Sequence, residues 1–138
     1  MKQIFINLPV KDVEASMDFY KQLGFTVNPL FTFADQKCMM WGEQIYLMLQ
    51  SYKMFKSGNK KILPDTKEYT IATFTIPVEG LDKVNEIIEK GLKAGGKEST
   101  PMLDEGFMQV RNIEDLDGHN WGIIYLDINK FKQITGKQ

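Results

Sequence analysis

Few residues in this chain of 138 can do chemistry by themselves, so their spacing decides what they could do together. Arg111 is the sole arginine among seventeen basic residues. A planar guanidinium grips a carboxylate or phosphate through two parallel hydrogen bonds, so an inward-facing Arg111 would mark an anion site. Whether its strand turns it inward or outward is open. Cys38 is the only cysteine and His119 the only histidine. A thiol or hydroxyl nucleophile needs an activating base, and nothing in the spacing brings His119 to Cys38 or to a serine. Glu114, Asp115 and Asp117 crowd into one turn, the pattern of a solvated loop and not of a separated acid and base. No glycine-rich phosphate loop follows the first predicted strand, and no paired-cysteine zinc motif occurs.

The frame that must position these groups is a globular one. Hydrophobic residues make up 43% and charged residues 25%, which excludes global disorder. Seventeen basic residues against eighteen acidic give a net charge of -1, without the basic surplus that a nucleic-acid binder uses against phosphates. No run approaches the ~20 apolar residues needed to span a bilayer. The opening Met1-Lys2-Gln3-Ile4-Phe5-Ile6-Asn7 turns polar too soon for a signal-peptide core. A lone cysteine fits a reducing cytoplasm, which is the expected location.

Residues 3–10 alternate, with Ile4, Ile6 and Leu8 on one side and Phe5 and Asn7 on the other, the period of a half-buried strand closed by Pro9. Asp12 can cap a helix from Val13, with Val13, Met17, Tyr20 and Leu23 as its apolar stripe, Ser16 exposed, and Gly24 as its left-handed stop. Segments 25–33, 36–42 and 44–50 read as strands. Residues 51–67, rich in lysine, describe a solvated connection with Met54 and Phe55 as anchors. The pattern then restarts. A strand over 69–78 ends in Ile76-Pro77-Val78, as the first ended in Leu8-Pro9-Val10. A helix follows with Leu81, Val84, Ile87, Ile88 and Leu92 or Gly91 as its stripe, stopped at Ala94-Gly95-Gly96. Candidate strands come at 97–103, 107–112 and 120–127. Two halves with one order of elements, offset by about seventy residues, signal an internal duplication. The organisation is one domain over 1–138: module one at 3–50, linker 51–67, module two at 68–127, and a tail 128–138 that packs as a short helix or frays.

The run from Leu8 to Tyr20 followed by Leu23-Gly24-Phe25 resembles the opening of the vicinal oxygen chelate superfamily, which includes glyoxalase I, extradiol dioxygenases and bleomycin-resistance proteins. Lys93-Ala94-Gly95-Gly96 and Glu114-Asp115-Leu116-Asp117-Gly118-His119 resemble its second-module helix end and last turn, with Leu116 where proline is common. The resemblance covers roughly residues 3–127. It implies an α+β fold of two βαβββ modules forming a cupped, roughly eight-stranded mixed sheet with helices on the convex face. It also implies, in metal-dependent members, a divalent ion held by four His, Gln or Glu side chains, and pairing of modules into a homodimer.

The four positions matched by that resemblance hold Phe5, Met48, Thr70 and Gly122. Phe and Gly offer no donor, Met a soft thioether and Thr a weak neutral oxygen, whereas hard or borderline ions need carboxylate or imidazole. A slipped alignment would have to draw on Glu43, Glu68, Cys38 and His119, of which both glutamates sit at turns. No metal and no cofactor is expected. With period two, the concave face carries Phe5, Asn7, Tyr46, Met48 and Gln50 from the first module, joined by Met40 and Cys38. From the second it carries Thr70, Ala72, Phe74, Gly122 and Ile124, with Phe107 at the mouth, Arg111 if inward, and room at Gly122 where a Glu would project. Such a lining suits a small apolar or aromatic molecule. The expected function is to hold that molecule in the cup without a metal, and sequestration is one version of it. The alternatives are a lyase, isomerase or dioxygenase with relocated metal ligands, and a structural protein whose cup is filled.

Overall fold

Residues Ile4–Val10 do form the first strand, β1, but burial changes along its length instead of alternating: Ile4, Phe5 and Asn7 are exposed, and Leu8, Pro9 and Val10 are buried. The computed structural model describes residues 1–138 and divides them into two units, Met1–Tyr69 and Thr70–Gln138.

In the first unit, β1 leads to helix α1 (Val13–Leu23), whose start is fixed by Asp12 accepting the Ala15 N–H at 3.1 Å. Gly24 ends it at φ 112°, a conformation that a side chain would strain, and its N–H donates back to the Lys21 carbonyl. The buried face is Ser16, Phe19, Tyr20 and Leu23, not the expected Val13–Met17 line. The large Phe19 ring takes the core position, and Ser16, expected to be exposed, is small enough to lie beneath the helix at 1% exposure.

The expected strand at 25–33 survives only as β2 (Thr26–Val27). Asn28 then accepts the Leu30 N–H at 3.0 Å and starts a 3-10 turn over Pro29–Phe31, because the proline φ and the Asn cap both favour a turn. β3 (Gln36–Trp41) and β4 (Ile45–Ser51) complete a sheet of order β1-β4-β3-β2, with β1 parallel to β4 and the other pairs antiparallel. The connection after β4 holds a helix that composition did not suggest, α2 (Tyr52–Ser57), capped by the Ser51 hydroxyl. It packs on β1 and β4 with Met54 and Phe55 half-buried, so these two do anchor it.

The second unit repeats the plan. β5 (Thr73–Pro77), α3 (Leu81–Lys93), β6 (Leu103–Asp104), β7 (Met108–Glu114) and β8 (Asn120–Leu126) give the order β5-β8-β7-β6, again with one parallel pair. Helix α3 buries Val84, Ile87, Ile88 and Gly91. The strand expected from residue 69 begins only at Thr73, and the one expected at 97–103 shrinks to β6 and a bridge from Lys97 to Glu114. The tail forms α4 (Ile128–Thr135), capped by Asp127, with Phe131 against Phe107 at 5.1 Å between ring centroids. The fold is therefore α+β, built from two βαβββ modules with four-stranded mixed sheets. No helix is long and apolar enough to cross a membrane.

Candidate ligand-binding face

Strand register decides which side chains share a face, because paired residues project the same way and neighbours along a strand project oppositely. In the first unit Phe5 pairs with Tyr46, Asn7 with Met48, and Pro9 with Gln50. Across β4, Tyr46 pairs with Met40, Met48 with Cys38, and Gln50 with Gln36. The opposite face belongs to α1: Trp41 meets Phe25 at 5.1 Å and Phe25 meets Tyr20 of the helix at 5.3 Å between ring centroids. Phe5, Asn7, Met40, Tyr46, Met48 and Gln50 thus lie together on the face turned away from the helix.

The Phe5 and Tyr46 rings stack, with centroids 4.3 Å apart and planes 9° from parallel, and Phe31 meets Phe5 edge-on at 6.5 Å. Phe5 remains 48% exposed, so the platform is not consumed by the core. Gln3 donates to the Tyr46 hydroxyl at 3.3 Å. At the far end Gln50 donates to the Gln36 carbonyl oxygen at 2.9 Å, and Gln36 donates to the Phe31 backbone carbonyl at 3.0 Å. Cys38 is fully buried between them, and that burial pushes its thiol above the ordinary value, which keeps it protonated and inert.

The second unit corrects several placements. Thr75 pairs with Gly122 and Thr73 with Asn120, so these threonines share the face of Gly122 and Ile124. Thr70 precedes the strand and is exposed, as is Ala72. Phe74 pairs with Trp121 at 5.0 Å between centroids and lies on the α3 side, one residue out of phase with the expectation. Arg111 also lies on the α3 side. It donates to both oxygens of Glu98 at 2.8 Å, to Asn85 at 3.0 Å and to Glu89 at 3.1 Å, so its fork is filled by the protein and offers no anion site on the other face. Phe107 lies before β7 and is held by α4. Gly122 is less roomy than expected, since a Cβ there would meet Asn112 Oδ1 at 3.1 Å and Thr75 Oγ1 at 3.2 Å. The acidic turn is not solvated: Asp115 and Asp117 are each 5% exposed, and Asp115 accepts the backbone N–H groups of Asp117 and His119.

The position matching Phe5 in the second unit is Thr73, four residues before Pro77 as Phe5 is before Pro9. The positions that the resemblance assigns to metal ligands are therefore Phe5, Met48, Thr73 and Gly122, and the Thr73 hydroxyl already accepts from Asn120 at 3.2 Å. This donor set does not fit a divalent ion. No three His, Cys, Asp or Glu residues gather elsewhere into a metal-holding group, and Glu43 and Glu68 are exposed.

Residues 2–42 match a family model described as bleomycin resistance protein-like N-terminal. Among solved structures, the chain is similar to the hypothetical protein SA1046 of S. aureus, with TM-score 0.77 and 25% identity over 91% of this chain and 94% of that one. It is similar to a glyoxalase-related enzyme from Fulvimarina pelagi, with TM-score 0.76 and 20% identity over 91% and 88% of the two chains. A glyoxalase/bleomycin resistance protein/dioxygenase family enzyme from Burkholderia phytofirmans PsJN aligns with TM-score 0.75 and 11% identity over 91% and 99%. None of the curated protein sequences matches the chain.

Proposed function

The chain has the glyoxalase/bleomycin-resistance/dioxygenase fold of the vicinal oxygen chelate superfamily, and from that premise we propose that it is a metal-independent small-molecule-binding protein. Its ligand is apolar or aromatic and lies on the sheet face that carries Phe5 and Tyr46. The observation that carries this reading is the stacked Phe5–Tyr46 pair, whose Phe5 stands where the resemblance expects a chelating side chain. Stacked or edge-to-face rings add about 0.5–1.5 kcal/mol beyond area burial, and a half-exposed platform leaves that gain for a ligand. Met40, which pairs with Tyr46 and is part-exposed, adapts to an irregular apolar shape.

The test is elemental analysis of protein purified without chelator, joined to calorimetric titration with para-hydroxybiphenyl. Saturable binding with far less than one ion per chain supports the reading; stoichiometric nickel, zinc, iron or manganese, or no binding, overturns it. The same reading carries a homodimer. Light scattering at twice 15.9 kDa supports that pairing, and a 15.9 kDa particle contradicts it.

A further inference from the structure

We propose that the ligand is uncharged and elongated, a flat aromatic body on Phe5 and Tyr46 with a neutral N–H or O–H donor reaching the Gln50 side-chain oxygen. This rests on the binding face proposed above and narrows its ligand class.

The absence of charge follows from the register. The nine residues that β1, β4 and β3 direct to this side, at positions 5, 7, 9, 46, 48, 50, 36, 38 and 40, include no Asp, Glu, Lys, Arg or His. The nearest basic residue in the strands, Lys37, projects to the other side, where it donates to the Phe33 carbonyl at 2.9 Å and pairs with Glu14 at 2.8 Å. A charged ligand group would surrender hydration here and find no counter-ion, which makes its burial costly. The corresponding face of the second unit is of the same chemistry, with Thr73, Thr75, Asn112 and Asn120. Its one carboxylate, Glu114, accepts from Ser99.

The donor requirement follows from the direction of the amide chain. Gln36 must present its nitrogen to the Phe31 carbonyl, so its oxygen is the atom turned to Gln50, and Gln50 must answer with its nitrogen. That fixes both amide orientations without an arbitrary flip. Gln50 Oε1 is left as an acceptor with no bond inside the protein. That oxygen still meets solvent, and a ligand that covers it removes its water, so a ligand N–H or O–H there is selected over an ether or a bare hydrocarbon. Tyr46 and Gln50 are four residues apart on β4, so their Cα atoms are separated by about 13 Å at ~3.3 Å per residue, a span that the two side chains shorten. A single ring cannot reach both.

The experiment is a calorimetric titration of the full chain with four matched probes: para-hydroxybiphenyl, para-methoxybiphenyl, biphenyl para-carboxylate and para-aminomethylbiphenyl. The hydroxyl probe binds tightest, the methoxy probe about fivefold more weakly, and the anion and cation each at least about tenfold more weakly. In Gln50→Met the hydroxyl and methoxy probes bind alike, while Phe5→Ala weakens all four. If the carboxylate or ammonium probe binds as well as the hydroxyl probe, or if Gln50→Met keeps the hydroxyl preference, the proposal is overturned while the binding face stands. If no probe binds, the binding face itself is overturned and this proposal falls with it.

Discussion

Arg111 and Glu98 are joined by two parallel hydrogen bonds, Nε and one terminal nitrogen of the guanidinium each reaching a carboxylate oxygen at 2.8 Å. The other donors go to Asn85 and Glu89 on α3, so one side chain on β7 fastens both a helix and the segment before β6. With 13% of its side chain exposed, Arg111 lies between a surface pair and a buried one. Arg111→Met therefore costs about 2 kcal/mol in urea unfolding, since Glu98 loses its partner. Ligand affinity stays unchanged, because the residue is on the α3 side; a fall in affinity at constant stability would contradict that placement.

The same pair sets an acid dependence. Hydrogen bonding to Arg111 holds the Glu98 carboxyl below its ordinary value of 4.5. A carboxylate lowered in the folded state contributes stability that is fully present above the unfolded value, and that is lost as pH falls through the folded one. Stability of the parent protein thus declines as pH drops below about 4.5 partly through Glu98. In Glu98→Gln that part of the slope is gone, as thermal melts between neutral and acid pH will report. An unaltered slope would show that the pair is not formed.

Gly122 is packed by Asn112 and Thr75, so placing a carboxylate there forces both aside. Gly122→Glu costs about 2 kcal/mol by overpacking. The triple variant with Asn112→Ala and Thr75→Ala recovers part of the loss. If the single substitution is neutral in denaturant titrations, the space is open and the close approach is wrong.

Phe5→Ala removes half of the stacked pair. Because Phe5 is 48% exposed, unfolding stability falls by less than about 1 kcal/mol, while affinity for an aromatic probe falls about tenfold. Equal affinity in titrations of parent and variant would remove the platform from the binding site.

Much of this arrangement is legible in the sequence alone. Asp12 and Gly24 bound α1 because capping and positive φ are local chemistry, written in single residues. The first-unit face was readable because β1 and β4 alternate in sequence and run through one uninterrupted register. Counting in twos from Thr70 gives the wrong second-unit face, because Thr70 lies outside the strand. The signal that corrects it was present. Aligning Ile76-Pro77 with Leu8-Pro9 sets Thr73 against Phe5, Thr75 against Asn7 and Phe74 against Ile6 on the helix side. Arg111 was ambiguous for a different reason. Its strand reads Met-Gln-Val-Arg-Asn-Ile-Glu, where polar and apolar residues do not alternate cleanly, and only its partners on α3 decide its side. The run from Phe25 to Phe33 looked like one strand because it is apolar, while Asn28-Pro29 imposes a turn that hydrophobicity does not express. The Gln50–Gln36 pair is not legible in the sequence because the cross-strand partners are fourteen residues apart.

Everything functional here depends on the Phe5–Tyr46 face binding its ligand without a metal ion. The direct measurement is titration of para-hydroxybiphenyl into protein dialysed against chelator, then into the same protein given nickel, zinc or manganese. The account predicts one saturable site with dissociation constants agreeing within about twofold. Binding that vanishes on chelation and returns with one bound ion per chain would contradict it.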